Sequence, residues 1–229
     1  MIRENLKEVE ERILAACRRS GRPRESVKLI AVSKTKPAGM IREAYDCGQR
    51  LFGENHAQEI VEKKPVLPAD TVWHFIGNLQ KNKVKYLVGQ VALIHSVNSE
   101  SLAAEIEKRA QKAGIVQDIL LEVNIASEES KQGAAPDEIR ALLRFCEAQP
   151  HIRVCGLMAV APFSDDPEDS RPFFSDLRRM LYALKHEVKE PERFCELSMG
   201  MSGDFETAIE EGATLIRVGT AIFGSRMPI

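Results

Sequence analysis

Short apolar runs alternate with helical patterns along almost the whole chain. The runs at 27–33, 50–52, 71–76, 92–96, 119–124, 153–158, 193–197 and 214–218 read as strands. Several are continuous stretches of Val, Ile, Leu and Ala, as expected of parallel strands buried on both faces. Between them, 39–46, 57–63, 80–86, 99–113, 136–148, 167–187 and 204–211 carry helix-like spacing, and an amphipathic helix precedes the first strand. Eight strands separated by seven helices predict a single α/β domain over residues 1–229, a (β/α)8 TIM barrel with an extra N-terminal helix. That leading helix would fill the place of a helix missing after the last strand. A doubly wound open sheet is the competing arrangement, and the short run at 50–52 is the weakest member of the count. The stretch APFSDDPED reads as a loop leading into a helix, not as a linker.

Composition narrows the class. An apolar fraction of 44% with a mean hydropathy of -0.24 fits a soluble globular protein. The formal charge of -2 and pI near 6.3 give no basic field that would draw nucleic acid. The KNKVK run at 81–85 reads as a solvated helix face. No run reaches the length of a membrane span, and the N-terminus lacks the pattern of a signal peptide. The five cysteines, Cys17, Cys47, Cys146, Cys155 and Cys195, are scattered without metal-ligand spacing. They are expected to be buried reduced thiols in a cytoplasmic protein.

Candidate chemistry collects at the strand ends, which share one mouth in a barrel. Lys34 follows the first strand in LIAVSKTKP, with Lys36 two residues on. On an extended backbone the two amines would leave one face, and their repulsion would favour a neutral nucleophile. A lysine with a lowered pKa can form a Schiff base with an aldehyde, although a lysine after a strand is more often a solvated loop residue. The second strand gives Glu54, Asn55 and His56; the third contains His74; the fourth gives His95, Ser96 and Asn98; the fifth gives Glu122 and Asn124, followed by SEESKQG. In ELSMGMSGDFETAIEEG a strand runs through a Gly/Ser turn into a helix that Ser202 or Asp204 can cap and Gly212 can end. Amides at such a helix start bind phosphate, and Gly219–Thr220 after the last strand offers a second turn where barrels commonly hold phosphate. Arg217 lies inside an apolar strand and needs a partner, either an internal carboxylate such as Glu122 or an acceptor on a ligand. The histidines show no order or spacing of a hydrolase triad.

The segments AVSKTKP, FGENHAQE, WHFIGNLQKNK, HSVNS, EVNIASEESKQG, GLMAVAP and LSMGMSGDFETAIEEGATLIRVGTAIFG span nearly the whole chain. In that order they resemble the pyridoxal phosphate homeostasis proteins, relatives of the alanine racemase N-terminal domain. The resemblance implies a barrel of PLP fold type III that binds pyridoxal 5'-phosphate (PLP). It implies a Schiff base between PLP and Lys34, with phosphate contacts from the Ser198–Met199 turn, Ser202, Gly219 and Thr220. It places Arg217 near the pyridine nitrogen and Asn55 near the ring. His56 and Asn98 depart from the family, which often has tyrosine and aspartate there.

Two functions fit that resemblance. One is intracellular PLP homeostasis without catalysis, acting on amino-acid and keto-acid metabolism, with PLP-dependent apoenzymes as possible recipients. The other is a racemase-like enzyme. Racemases of this fold carry a β-rich second domain that supplies a catalytic tyrosine; here the sequence ends at Ile229, nine residues after Thr220. Tyr45, Tyr86 and Tyr182 all fall in helix-like segments. A two-base reaction needs an acid or base on each face of the substrate carbon. The expectation is therefore a monomeric, cytoplasmic PLP holder, with no role for nucleic acid, membrane or metal.

Overall fold

The computed structural model describes residues 1–126 and 132–224. Eight parallel strands close on themselves in sequence order: β1 (Lys28–Val32), β2 (Leu51–Glu54), β3 (Val72–Phe75), β4 (Leu93–Val97), β5 (Gln117–Val123), β6 (Ile152–Ala159), β7 (Glu196–Ser198) and β8 (Leu215–Val218). The open-sheet alternative is thereby excluded, because β8 pairs back onto β1 with Ala31 opposite Val218. The helices are α1 (Ile2–Arg19), α2 (Ala38–Asp46), α3 (Ala57–Lys63), α4 (Glu100–Ala113), α5 (Ile139–Glu147), α6 (Arg171–Leu184), α7 (Phe205–Glu210) and α8 (Thr220–Phe223).

Strand parity sorts the side chains. Leu29, Ala31, Phe52, Trp73, Phe75, Ile94, Leu121 and Ile216 belong to the large apolar shell between strands and helices. Ile30, Leu93, Leu120, Cys155, Met158 and Leu215 form a separate buried cluster made of strand residues alone, with Leu51 against it. Alternate residues of one strand point to opposite faces, and an extra residue at Cys155 resets the parity of β6, so this second cluster fills the barrel interior. Continuing inward parity along each strand leads to Lys34, Asn55, His74, His95, Glu122, Ser198 and Arg217.

The helical forecast holds with identifiable exceptions. The 81–86 segment is 3-10, not α, because only Val84 among its residues is buried and no apolar stripe forms. The single helix expected over 167–187 is a 3-10 turn, then α6, then another 3-10 turn, with Pro172 in the first turn of α6. α8 is a one-turn helix after β8, and α1 packs against α2, α7 and α8, closing the outer ring there as expected. Arg12 and Arg19 join α1 to α7 through Glu206 and Glu210. Cys17, Cys146 and Cys155 are buried, but Cys47 is half-buried and Cys195 exposed, so the forecast of buried thiols holds for three of the five.

Candidate functional site at the barrel mouth

All strands are parallel, so their C-terminal ends open on one face, and Lys34 stands just past the end of β1. Its environment is half-buried. The backbone there is not extended: Ser33–Lys36 close a turn through the Lys36 amide to the Ser33 carbonyl at 3.0 Å. Thr35 adopts φ 62°, the one non-glycine residue with positive φ among those described. Lys36 therefore does not share a face with Lys34. Its Nζ donates to the Phe223 and Gly224 carbonyls at 3.2 and 3.1 Å. The expected pairing on an extended backbone gives way to a turn, with the Lys36 amine bonded to the carbonyls that end α8.

Next to β1 lies the end of β8. Gly219 approaches so closely that a Cβ there would meet Val32 Cβ at 3.3 Å. Ser202 Oγ accepts the Gly219 and Ala221 amides at 3.2 and 3.4 Å, which draws the turn after β7 onto the turn after β8. Thr220 is exposed at the start of α8, and Ser202 is half-buried. Asp204 stands at the start of α7, but its carboxylate turns back to accept the Met201 amide at 2.6 Å. Ser198 and Met199 differ from expectation. Neither has any exposed surface, Met199 N–H is bonded to the Leu215 carbonyl, and the Ser198 hydroxyl faces the barrel interior. Parity explains this: Ser198 is an inward β7 residue, and the turn opens to the mouth only beyond Gly200.

The interior holds a polar chain that sequence spacing could not show. Arg217, 5% exposed, donates to Ser198 Oγ at 2.5 Å and to the Ala159 carbonyl at 3.0 Å. Ser198 Oγ lies 2.8 Å from His95 Nδ1, and His95 Nε2 lies 2.9 Å from His74 Nδ1. Arginine can only donate, so Ser198 Oγ accepts from Arg217, and the direction of the two His95 contacts follows the histidine tautomer. Burial pushes His74 down to about 3, with Lys28 adding to the effect. Burial likewise holds His95 well below its ordinary value. Both rings are neutral members of the interior, not mouth residues. Burial lowers Arg217 to about 10, which leaves it protonated at neutral pH.

A cavity of about 420 Å³ opens on the mouth between Asn55, His56, Ile76, Gly77, Asn78, Glu122, Asn124, Gln132, Met158 and Val160. Glu122 is 8% exposed, and burial raises its carboxyl to about 7 against a small opposing pull from Arg217. Glu122 Oε2 and Asn55 Oδ1 are buried acceptors without a hydrogen-bond partner among the described residues. Such atoms are costly unless something completes them. His56 is exposed where α3 begins, and Asn98 is half-buried beyond β4. Glu54, expected at the mouth, points outward from β2 instead and bonds Ser33 and Lys63. The SEESK part of SEESKQG, at 127–131, lies outside the described residues. A larger groove of about 650 Å³ runs along the outer surface, lined by α3, residues 64–71 and Lys85–Gln90, and contains none of the strand-end set.

Among the described residues no cluster of His, Cys, Asp and Glu could hold a metal ion, and no helix is long and apolar enough to cross a membrane. The family model for the alanine racemase N-terminal domain matches residues 4–227. The pyridoxal phosphate homeostasis protein of Aquifex aeolicus is 49% identical over 224 residues, 97% of each chain. The structure of PipY from Synechococcus elongatus with PLP bound superposes at a TM-score of 0.84 with 38% identity, covering 98% of this chain and 100% of that one. Alanine racemase from Corynebacterium glutamicum has a TM-score of 0.70 at 16% identity, covering 96% of this chain and 62% of that one, a likeness of fold alone. With a closed barrel, a lysine past β1 and near full-length relatives at this identity, the chain belongs to the pyridoxal phosphate homeostasis protein family, within the alanine racemase N-terminal domain fold.

Proposed function

We propose that this protein binds PLP at the barrel mouth and serves intracellular PLP homeostasis, with Lys34 as the covalent attachment point. One observation carries the reading: the amine-bearing turn and the glycine turn stand on paired neighbouring strands. Ala31 is opposite Val218 in the β1–β8 register, so Lys34 and Gly219 leave adjacent strands at the same end. PLP bears an aldehyde and a phosphate on one small ring, and needs an amine and an anion cradle that close together. The chain's polar atoms fit the rest of the molecule. Asn55 lines the cavity and its buried Oδ1 has no partner among the described residues, and Gly219 permits close backbone approach.

Ser202, Gly219 and Thr220 would hold the phosphate. Ser198 and Met199 would support that turn from beneath, since their polar groups are already bonded within the barrel. Arg217, fixed by Ser198 and Ala159, would present a cation to the ring nitrogen and keep it unprotonated. Bound PLP supplies an aldehyde that condenses with a primary amine and a ring that withdraws electrons from it. An arginine beside the ring nitrogen weakens that withdrawal, which suits holding more than catalysis. The relatives' designation as homeostasis proteins supports the same reading, and PLP-dependent apoenzymes are the natural recipients.

Borohydride reduction of PLP-loaded protein should leave a phosphopyridoxyl label on Lys34, located by peptide mass spectrometry. Lys34→Ala should lose both the label and the visible absorbance. A label retained in Lys34→Ala would remove Lys34 from the site, and robust Lys34-dependent turnover of an amino acid would replace holding with catalysis.

A further inference from the structure

Behind the end of β1, on the outer face of the barrel wall, α3 brings charged groups against the lysine turn. Lys63 Nζ lies 2.8 Å from Glu54 Oε1 and 2.5 Å from Glu59 Oε2, and donates to the Ser33 carbonyl at 2.9 Å. Ser33 Oγ donates to Glu54 Oε1 at 2.6 Å, and the Thr35 amide donates to Glu59 Oε2 at 2.9 Å. Glu54 has no exposed surface, and Lys63 is 8% exposed. The two residues on either side of Lys34 in the chain are thus each held from behind.

Attachment of α3 to the barrel does not by itself explain these groups. Buried ion pairs are a weak source of stability compared with apolar side chains of similar size. What the cluster does hold is a backbone conformation that Thr35 resists. At φ 62° Thr35 sits in the left-handed region, which β-branched residues rarely enter. Released from Glu59, Thr35 would relax to negative φ, and the backbone at Lys34 would turn with it.

We propose that Glu59, Lys63 and Glu54 are positioning residues, which hold Ser33–Thr35 in the strained turn that presents the Lys34 amine to the mouth. This rests on the reading of Lys34 as the amine that takes PLP. The strain belongs to the site and not to the scaffold.

The test uses the full chain with PLP as probe. Glu59→Ala should speed hydrogen exchange of the Thr35 amide in ligand-free protein. It should also weaken PLP binding about tenfold, the factor that a left-handed penalty of this order gives. It should move the pH midpoint of the bound PLP visible band as well. Adding Thr35→Asn, a residue that tolerates positive φ, should restore most of the affinity and the midpoint. A helix-attachment role predicts no such rescue. Folded Glu59→Ala with wild-type affinity and midpoint would overturn the proposal. Should Glu59→Ala not fold, the comparison passes to Glu59→Gln and Lys63→Met, each expected to weaken binding severalfold; wild-type affinity in both would overturn it equally. Reductive labelling of the wild type elsewhere than Lys34 would sink the functional reading instead. Thr35 exchange in ligand-free protein decides the clamp in either case, since unchanged protection in the variants refutes it.

Discussion

Glu122 should make the fold less stable as pH rises through neutrality, and Glu122→Gln should remove that loss. The carboxyl is inward-facing on β5 and 8% exposed, and burial lifts it from an ordinary 4.5 to about 7. The sign follows from proton counts. Between those values the folded state binds more protons than the unfolded chain, so stability falls with rising pH. The relative stability is fully present below the unfolded value and is lost as pH rises through about 7. At about 1.4 kcal/mol for each pH unit between the two values, the loss comes to about 3 kcal/mol, most of it between pH 5 and pH 8. Glutamine keeps the shape and cannot ionise. The wild-type-minus-variant difference therefore isolates this one group from every other titration in the chain. Urea unfolding of cofactor-stripped protein across that pH range is the assay, since bound ligand would add its own stabilisation. In thermal scans the same difference should open by roughly 6–12 °C for a domain of this size. A difference that stays flat with pH, or that shrinks as pH rises, refutes the claim that burial dominates over the nearby Arg217.

Three further perturbations test separate parts of the construction. Gly200 has φ 88°, and a Cβ there would lie 2.5 Å from Ala208 Cβ, so Gly200→Ala should cost about 2 kcal/mol or more in urea unfolding. An unchanged midpoint would mean that α7 shifts freely. His95→Leu strips a partner from both the Ser198 hydroxyl and the His74 ring, and should cost about 2–4 kcal/mol by the same measurement. A loss below about 1 kcal/mol, the size of one ordinary hydrogen bond, would show that the chain is not held as a unit. Arg217→Gln should alter the visible spectrum of bound PLP while the far-ultraviolet dichroism stays native; an unaltered spectrum would place the guanidinium away from the ring.

The barrel was legible because parallel strands buried on both faces read as apolar runs, and eight of them alternate with helices. The amine and the two turns were legible because each is a local pattern: a lysine after an apolar run, and glycines between a strand and a helix. What escaped depends on parity and distance. Glu54 follows an apolar run as Lys34 does, but it sits on the outward register of β2, and only the pairing of Gly53 with Val32 and His74 fixes that register. The turn at Thr35 runs against propensity, since a β-branched residue is the last choice for positive φ, and what holds it comes from α3, 24 residues on. The His74–His95–Ser198–Arg217 chain joins residues 21, 103 and 19 apart. No local pattern encodes such a chain.

That chain also bears on whether the mouth holds PLP or works on it. A buried row of four polar side chains is costly unless every member is satisfied. Here each side chain has a partner within the row, starting from a guanidinium that can only donate. Burial keeps both imidazoles neutral, and the row occupies both nitrogens of His95 and Nδ1 of His74. Proton transfer to either ring would require breaking the chain in a low-dielectric interior and placing a second cation near Arg217. Burial holds His95 down, with His74 and then Arg217 adding to it. His95 and His74 are thus tied into the row that ends at Arg217. Tyr45, the tyrosine nearest β1 in sequence, is bonded to Asp70 on the outer surface. Under the proposed reading Arg217 would meet the ring nitrogen of bound PLP as a fixed cation, whereas racemisation demands bases free to exchange protons on both faces of a carbon. His74 and His95, neutral and bonded within the barrel, are not such bases in this arrangement.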